Sequence, residues 1–346
     1  MLLLVSPIFP QKDEDANVLR LRDVKAYYEA PRAIVKAVDG VTLEVRENEI
    51  LGIAGESGCG KSTLLRVLYD SIEPPLKLIA GNVEAEMKNG NGKTISIGPG
   101  EIRKHWWRYI SYIPQGSMSV LNPVVRIEKQ FFDAISKKHQ ATDKQQVRNR
   151  ITSYLKELKL PVEVLHSYPH QLSGGMRQRV LVALGTFLHP QIVLADEPTT
   201  ALDVVIQKSI LLLLAQLQEQ MKNSLVIVSH DIGVHYQITH RIGIMYNGKL
   251  VEIGPTETVF KDPLHPYTQM LIQSLPHVGD HKRREGIRGR PPSLIDPPPG
   301  CRFAARCPFV MDLCREKMPS PLEVASDHFV ACYLHRESIQ TRKGLG

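Results

Sequence analysis

Hydrophobic and polar residues alternate in two segments near the start of the chain, Val18–Arg22 and Val41–Val45, as expected for strands with one buried face. Three later segments are apolar without interruption: Ile50–Ala54, Ile192–Ala195 and Leu225–Val228. Runs of this length and composition are typical of strands that are covered on both faces of a parallel sheet. The pattern therefore predicts an α/β protein with a parallel-sheet core.

Other elements follow from the same pattern and from the turn residues between them. A helix is expected over Lys61–Tyr69, and the Asn- and Gly-rich stretch Gly81–Gly100 is expected to form an exposed β excursion. Apolar residues return at helical spacing within residues 124–169. The dipeptide Asn-Gly separates Ile242–Tyr246 from Lys249–Ile253, which predicts a hairpin with a type I′ turn.

A glycine-rich loop, GESGCGKS at Gly55–Ser62, follows the first apolar strand and opens the predicted helix. Its backbone N–H groups can approach phosphate oxygens, Lys61 can reach the β- and γ-phosphates, and the Ser62 hydroxyl can ligate Mg²⁺. The loop therefore predicts a nucleoside triphosphatase, and the small Cys59 thiol inside it is expected to have no chemical role. The residues assigned to ATP in this region are Gly55, Glu56, Ser57, Gly58, Cys59, Gly60, Lys61, Ser62 and Thr63.

A second candidate anion site lies far downstream, in the run LSGGMRQR at Leu172–Arg179. Ser173 is placed to cap a helix over Met176–Leu188, and a helix N-terminus can bind an anion. One nucleotide cannot easily use both sites of a single chain. The pair of motifs resembles an ATP-binding cassette of the ABC class, in which two chains enclose ATP between the phosphate loop of one and the LSGG motif of the other. The residues expected to touch the opposite chain's nucleotide are Ser173, Gly174, Gly175 and Asp203.

The resemblance covers residues 18–255 and implies a P-loop NTPase fold with three parts. These parts are a RecA-like parallel-sheet core, an antiparallel β subdomain and a helical subdomain at about 124–172. Asp196 ends an apolar strand, where a carboxylate can hold Mg²⁺ through water. Glu197 follows it and is the candidate that orients or deprotonates the attacking water.

Further site residues are implied by the order in which the family's motifs occur. Gln115 resembles the Q-loop glutamine, which contacts Mg²⁺ and the lytic water, and His230 resembles the switch histidine at the γ-phosphate. Ala201–Asp203 resembles the D-loop at the dimer interface. Tyr28 stands where the family places an aromatic residue that stacks on adenine, with the adjacent Tyr27 as its rival. The residues expected to hold Mg²⁺ are Ser62, Gln115 and Asp196.

Length and composition limit the classes of protein. With 346 residues, of which 42% are hydrophobic, the chain can bury a large core in one main and one smaller domain. No apolar run is long enough to span a bilayer, and the apolar start Met1–Pro10 lacks the basic leader of a signal peptide. We therefore expect a cytoplasmic protein. The net charge is +7, but the basic segment 281–290 has no interleaved aromatic residues, which favours a solvated linker over a nucleic-acid site.

The region 256–346 differs from the rest because it is rich in proline. Pro266 can occupy a first helical turn, which predicts a docking helix. Its apolar stripe consists of Tyr267, Met270, Leu271 and Leu275. Together with RPPSL at 290–294 and PPPGCRF at 297–303, this region resembles the C-terminal domain of oligopeptide/dipeptide permease ATP-binding subunits.

That resemblance implies the partners of the chain. They are a second cassette, identical or paralogous, two transmembrane permease subunits and, indirectly, an extracytoplasmic solute-binding protein. No nucleic-acid partner is implied. The expected location is peripheral, on the cytoplasmic face of the cell membrane.

Four of the five cysteines lie in the C-terminal region, at Cys301, Cys307, Cys314 and Cys332. A cytosolic protein does not ordinarily keep disulfides, so clustered thiols indicate a metal. Members of the family carry a [4Fe–4S] cluster on cysteines of this region, and four thiolates suit it. Zinc, disulfides and metal-free thiols are alternatives, although no Cys-x-x-Cys pair supports zinc. His328 and His335 are possible substitute ligands that are expected at the surface instead.

The favoured function is ATP hydrolysis that drives import of dipeptides, oligopeptides or a related solute. Similar subunits also serve importers of oligosaccharides or nickel. A soluble ABC ATPase that acts on nucleic acid is a remote alternative. Such a protein needs a long coiled-coil insertion or two cassettes in one chain, and this sequence contains neither. In a third hypothesis the C-terminal region is a redox sensor.

Overall fold

The computed structural model describes residues 17–88, 94–116, 120–136, 143–200, 202–275 and 286–336. The strands are β1 Asn17–Ala30, β2 Ala33–Arg46, β3 Ile50–Ala54, β4 Leu76–Lys88, β5 Thr94–Ile97, β6 Ile110–Ile113, β7 Ile192–Asp196, β8 Ser224–Ser229, β9 Arg241–Tyr246, β10 Lys249–Pro255, β11 Leu322–Ala325 and β12 His328–Val330. The helices are α1 Lys61–Leu68, α2 Ile127–Ser136, α3 Lys144–Glu157, α4 Gly174–Thr186, α5 Val204–Met221, α6 Ile232–Ile238, α7 Thr256–Lys261, α8 Pro266–Gln273 and α9 Asp312–Glu316. Three features of the sequence lie outside the described residues: Met1–Pro10, Ala201 and the first half of the basic segment 281–290.

The larger sheet has the strand order β11-β12-β10-β9-β3-β8-β7-β6. Its centre is parallel, because β3 pairs in parallel with β8 and β9, and β7 pairs in parallel with β8 and β6. Every residue of β3 and β7 is buried, as the unbroken apolar runs predicted. Because the carboxyl ends of parallel strands meet at one edge, the loops after β3, β7 and β8 come together there.

The smaller sheet is antiparallel, with the order β2-β1-β4-β5. Both β1 and β2 are 14 residues long, well beyond the short segments that alternate in the sequence. The predicted β excursion is present as β4 and β5, but β4 begins at Leu76, so Gly81 lies inside a strand and not at its start. A Cβ atom on Gly81 would lie 2.4 Å from the Asp23 carbonyl oxygen, so glycine lets β4 pass close to β1. Val83 and Ala85 of the same strand are buried, and that tertiary contact overrides the turn-like composition.

Helices α2 and α3 occupy the segment in which helical spacing was predicted. The Asp143 carboxylate accepts a hydrogen bond from the Gln145 N–H at 2.9 Å and caps α3. Ile151 and Leu155 on this helix are fully buried and belong to the same hydrophobic cluster as Phe131 of α2. Among the described residues, no helix is long and apolar enough to cross a membrane.

The C-terminal region packs directly onto the cassette. Helix α8 begins at Pro266, and the His265 ring accepts a hydrogen bond from the Tyr267 N–H at 3.0 Å as its cap. Strand β12 pairs with β10 and extends the larger sheet. The hairpin before it turns at Asn247 and Gly248, whose φ values of 46° and 78° match the predicted type I′ turn.

Candidate nucleotide site

Glycines give the phosphate loop its shape between β3 and α1. Gly55 has φ 150° and Gly60 has φ 108°, both in regions that side chains disfavour. A Cβ atom at Gly55 would lie 2.2 Å from the Met245 carbonyl oxygen, and one at Gly60 would lie 2.0 Å from that of Ala37. Only glycine fits these positions, so the loop can wrap closely and present its N–H groups.

Lys61 lies across this loop with its side chain folded inward. Its ammonium group donates to the carbonyl oxygens of Gly55 at 2.8 Å and Glu56 at 3.0 Å, and the residue is 4% exposed. Cys59 is buried beside it, and burial raises the pKa of the Cys59 thiol, which keeps the thiol neutral. A bound phosphate can draw the Lys61 ammonium away from these two carbonyl groups.

Asp196 ends β7 and faces the start of α1. Its carboxylate accepts from the Ser62 hydroxyl at 2.9 Å and from the Tyr112 hydroxyl at 2.8 Å. Burial raises the pKa of Asp196 although both hydrogen bonds oppose that shift. The structure thus brings together two of the residues expected to hold Mg²⁺. Tyr112, on β6, was not predicted from the sequence, because a tyrosine within a short strand resembles an ordinary core residue.

Glu197 is the next residue and is held by three groups from separate segments. Gln115 Nε2 donates to Glu197 Oε2 at 2.9 Å, Thr200 Oγ1 donates to the same oxygen at 2.8 Å, and His230 Nδ1 lies 3.3 Å from Oε1. Glu197 has φ 43°, an uncommon backbone conformation that is enriched at functional sites. Glu197, Gln115 and His230, for which the sequence predicted roles in hydrolysis, therefore lie together. Thr200 was missed, and its only sequence signal is a hydroxyl three positions after the acid.

The phosphate loop, Gln115, Glu197 and His230 border a cleft of about 490 Å³, within the size range of small-molecule sites. Its lining residues are Tyr28, Val35, Ala37, Ser57, Gly58, Gly60, Lys61, Ser62, Thr63, Gln115, Glu197, His230 and Leu294. The Tyr28 hydroxyl lies 3.2 Å from the Thr63 hydroxyl, whereas Tyr27 donates its hydroxyl to Asp39 at 2.5 Å on the other side of β1. Strand alternation therefore places Tyr28 and not Tyr27 on the cleft. Leu294, from the C-terminal region, was also missed.

The LSGG motif lies outside this cleft. Ser173 caps α4, accepting from the Met176 N–H at 3.3 Å, and Asp203 caps α5, accepting from the Ile206 N–H at 3.0 Å. The four residues assigned to the opposite chain's nucleotide are not among those that line the cleft. Of the four, Ser173 and Asp203 are exposed, whereas Gly174 is half-buried and Gly175 is buried.

The cysteines of the C-terminal region line one small, largely apolar cavity with Phe303 and Phe309. The donor set suits a metal group, but among the described residues no three His, Cys, Asp or Glu side chains are arranged to hold a metal ion. The predicted [4Fe–4S] site is therefore not supported by the side-chain arrangement. Burial raises the pKa of Cys301 and of Cys332 to about 11, so these thiols are protonated and pack as small apolar groups.

The expectation that His328 lies at the surface is wrong. Its side chain is 2% exposed, and its Nε2 atom lies 2.8 Å from the Glu252 carboxylate. His335 is bonded through its ring to the Leu264 carbonyl oxygen at 2.9 Å. His328 therefore joins the C-terminal region to the cassette, because the pairing of β12 with β10 brings it to Glu252. The contact between His335 and Leu264 lies within the C-terminal region itself.

Comparisons with known proteins agree with this geometry. Residues 38–200 match the family model described as ABC transporter. The fold is shared with a solved dimeric ATP-binding cassette in a post-hydrolysis state bound to ADP and Pi, with a TM-score of 0.58 and 29% identity over 69% of this chain and 98% of that chain. The protein is an ATPase of the ABC transporter class.

The C-terminal region identifies the branch. Residues 251–314 match the model for the oligopeptide/dipeptide transporter C-terminal region. The dipeptide transport ATP-binding protein DppD of Caldanaerobacter subterraneus subsp. tengcongensis is 37% identical, over 92% of this chain and 98% of that protein. The oligopeptide transport ATP-binding protein AppF of Bacillus subtilis is 35% identical, over 92% and 98%. The chain belongs to the ATP-binding subunits of the oligopeptide/dipeptide transporter family.

Proposed function

We propose that this chain hydrolyses ATP to drive the import of dipeptides or oligopeptides. The observation that carries the proposal is the convergence of Gln115, Thr200 and His230 on Glu197, beside the phosphate loop. The C-terminal match and the similarity to dipeptide and oligopeptide transport proteins support peptides as the solute. Oligosaccharides and nickel are the alternative cargoes within the same machinery.

Each side chain has a distinct role in this proposal. Tyr28 stacks on adenine, Lys61 leaves its two loop carbonyls to contact the β- and γ-phosphates, and His230 contacts the γ-phosphate. Glu197 orients and deprotonates the attacking water, which reacts in line with the bond that breaks. Mg²⁺ would neutralise developing phosphate charge, and the residues that would hold it are Ser62, Gln115 and Asp196.

We propose further that the working unit contains two cassettes. Ser173 and Asp203 lie outside the chain's own cleft, at the N-termini of α4 and α5, where they are free to meet a partner's nucleotide. Two permease subunits receive the motion of this pair on the cytoplasmic face of the membrane. A binding protein outside the membrane delivers the solute.

Uptake measurements test the cargo. Cells whose own copy is replaced by Lys61→Ala are expected to lose uptake of labelled dipeptide or oligopeptide, because the variant lacks the ammonium that contacts the phosphates. Uptake of a labelled oligosaccharide and of nickel should match that of cells carrying the unaltered chain. Loss of sugar or nickel uptake with intact peptide uptake would contradict the peptide assignment while leaving the ATPase assignment in place.

The cysteine cavity is proposed to receive a [4Fe–4S] cluster on Cys301, Cys307, Cys314 and Cys332. The support is the chemistry of the donor set, since four thiols line one cavity and four thiolates are the ligand set of such clusters. The thiols would have to move closer together to hold it. Binding must remove the thiol protons that burial retains. The expected role is structural, since a segment this short builds little core of its own.

Iron analysis of anaerobically purified protein tests this site. We expect about four irons per chain and broad absorption near about 400 nm, both lost in Cys307→Ser or Cys314→Ser and kept in Cys59→Ser. The segment from Pro297 onward should become more protease-sensitive in the first two variants, with the cassette still folded. Stoichiometric zinc without iron would exclude the cluster, and four readily alkylated thiols would exclude any metal.

A further inference from the structure

Glu56 of the phosphate loop is held by the C-terminal region at both its backbone and its side chain. Its N–H donates to the Tyr267 hydroxyl at 2.9 Å. Its carboxylate accepts from Arg306 Nη1 at 2.8 Å and from Nη2 at 2.9 Å, a bidentate pair. Arg306 lies 250 residues away in the sequence, so this contact exists only in the folded chain.

Other contacts hold the Arg306 side chain in place in addition to its pair with Glu56. Its Nε donates to the Arg288 carbonyl oxygen at 2.9 Å, and its Nη1 also donates to the Tyr246 hydroxyl at 3.1 Å. The guanidinium lies over the rings of Tyr246 and Phe303, at 5.7 and 5.8 Å from their centroids. With its side chain 4% exposed, it is a rigid anchor and not a mobile surface charge.

A carboxylate in an anion-binding loop poses an electrostatic problem. The loop presents N–H groups to phosphates that carry several negative charges, and an unrestrained Glu56 side chain can swing toward them or accept those same N–H groups. In this structure Glu56 does not line the cleft, although its neighbours Ser57 and Gly58 do. The Glu56 carboxylate is instead paired with both terminal nitrogens of Arg306.

We propose that Arg306 is a positioning residue for ATP binding: it holds Glu56 so that the phosphate loop keeps its nucleotide-ready shape. The inference rests on the proposed function, since it assigns the loop to ATP. It makes the C-terminal region part of the nucleotide site. Phe303, the residue under the Arg306 guanidinium, also lines the cysteine cavity.

A double-mutant cycle on the full-length chain tests the proposal. The measured quantity is the Kd for Mg²⁺-ATP, from a fluorescent ATP analogue displaced by ATP. Arg306→Gln is expected to raise Kd about tenfold, the scale of a lost charge-assisted hydrogen-bonded pair. In a Glu56→Gln background the same change should raise Kd by less than about threefold, because no carboxylate is left to hold.

The cycle separates positioning from simple charge. A remote positive charge attracts phosphate equally in both backgrounds, so equal fold-changes would overturn the proposal. So would an unchanged Kd in Arg306→Gln. Arg306→Lys keeps the charge without the bidentate geometry and should recover only part of the affinity.

Asp327→Asn provides the matched control, because it removes another ion pair between the C-terminal region and the cassette. Asp327 pairs with Arg46 at 2.7 and 2.5 Å, and its φ of 58° suits asparagine. The Kd of Asp327→Asn for Mg²⁺-ATP should equal that of the unaltered chain. A tenfold rise in this control would overturn the proposal, because any loosening of the C-terminal region would then weaken ATP binding. If the unaltered chain itself failed to bind ATP, the proposed function would fall, whereas an Arg306-independent Kd removes only this inference.

Discussion

Glu197→Gln is expected to keep ATP binding and to lose steady-state hydrolysis by about 10²-fold or more, the contribution of a positioned general base. Gln115, Thr200 and His230 all meet the Glu197 carboxylate, so the amide retains the shape of the site but cannot accept the water's proton. The groups that contact the triphosphate, Lys61 among them, are unchanged. Phosphate release by the assembled transporter and ATP binding by the variant are the two measurements.

Glu219→Gln is the matched control for this substitution. Glu219 lies on the exposed face of α5, away from the cleft, and the same chemical change there should leave turnover at the unaltered level. Turnover of Glu197→Gln close to that of the control would exclude Glu197 as the base. Loss of ATP binding in the variant would instead assign Glu197 to ground-state binding.

Ser173→Arg is expected to abolish ATP-driven pairing of two cassettes while the isolated chain still binds ATP. Ser173 caps α4 through its contact with the Met176 N–H, and it lies outside the chain's own cleft. A long cation at this helix N-terminus removes the cap and fills the space that a partner's nucleotide would need. The monomer–dimer ratio with ATP, measured by light scattering in the Glu197→Gln background, reports the effect.

Ser320→Arg introduces the same side chain at an exposed position of the C-terminal region and should not change that ratio. The two-chain arrangement would be wrong if Ser173→Arg destroyed ATP affinity in the monomer. It would also be wrong if the variant paired normally. Either outcome would place the LSGG motif in a role confined to its own chain.

The sequence by itself determined the parts of the protein that depend on neighbours along the chain. Unbroken apolar runs predicted the buried strands β3, β7 and β8, because strands covered on both faces consist mainly of apolar side chains. The glycines of the phosphate loop and the Asn-Gly turn could be predicted, because their backbone conformations exclude most other residues. The order of the motifs then predicted most residues that meet at the cleft.

Tertiary structure decided what depends on residues that are distant in sequence. The choice of Tyr28 over Tyr27 follows from the face of β1 that meets the cleft, and the burial of His328 follows from the pairing of β12 with β10. Gly81 is a residue type typical of turns, yet it lies inside β4, because the backbone of β1 passes too close to it for any side chain. The pair between Glu56 and Arg306 leaves no local pattern, because an ion pair depends on the spatial proximity of two charges and not on their spacing along the chain.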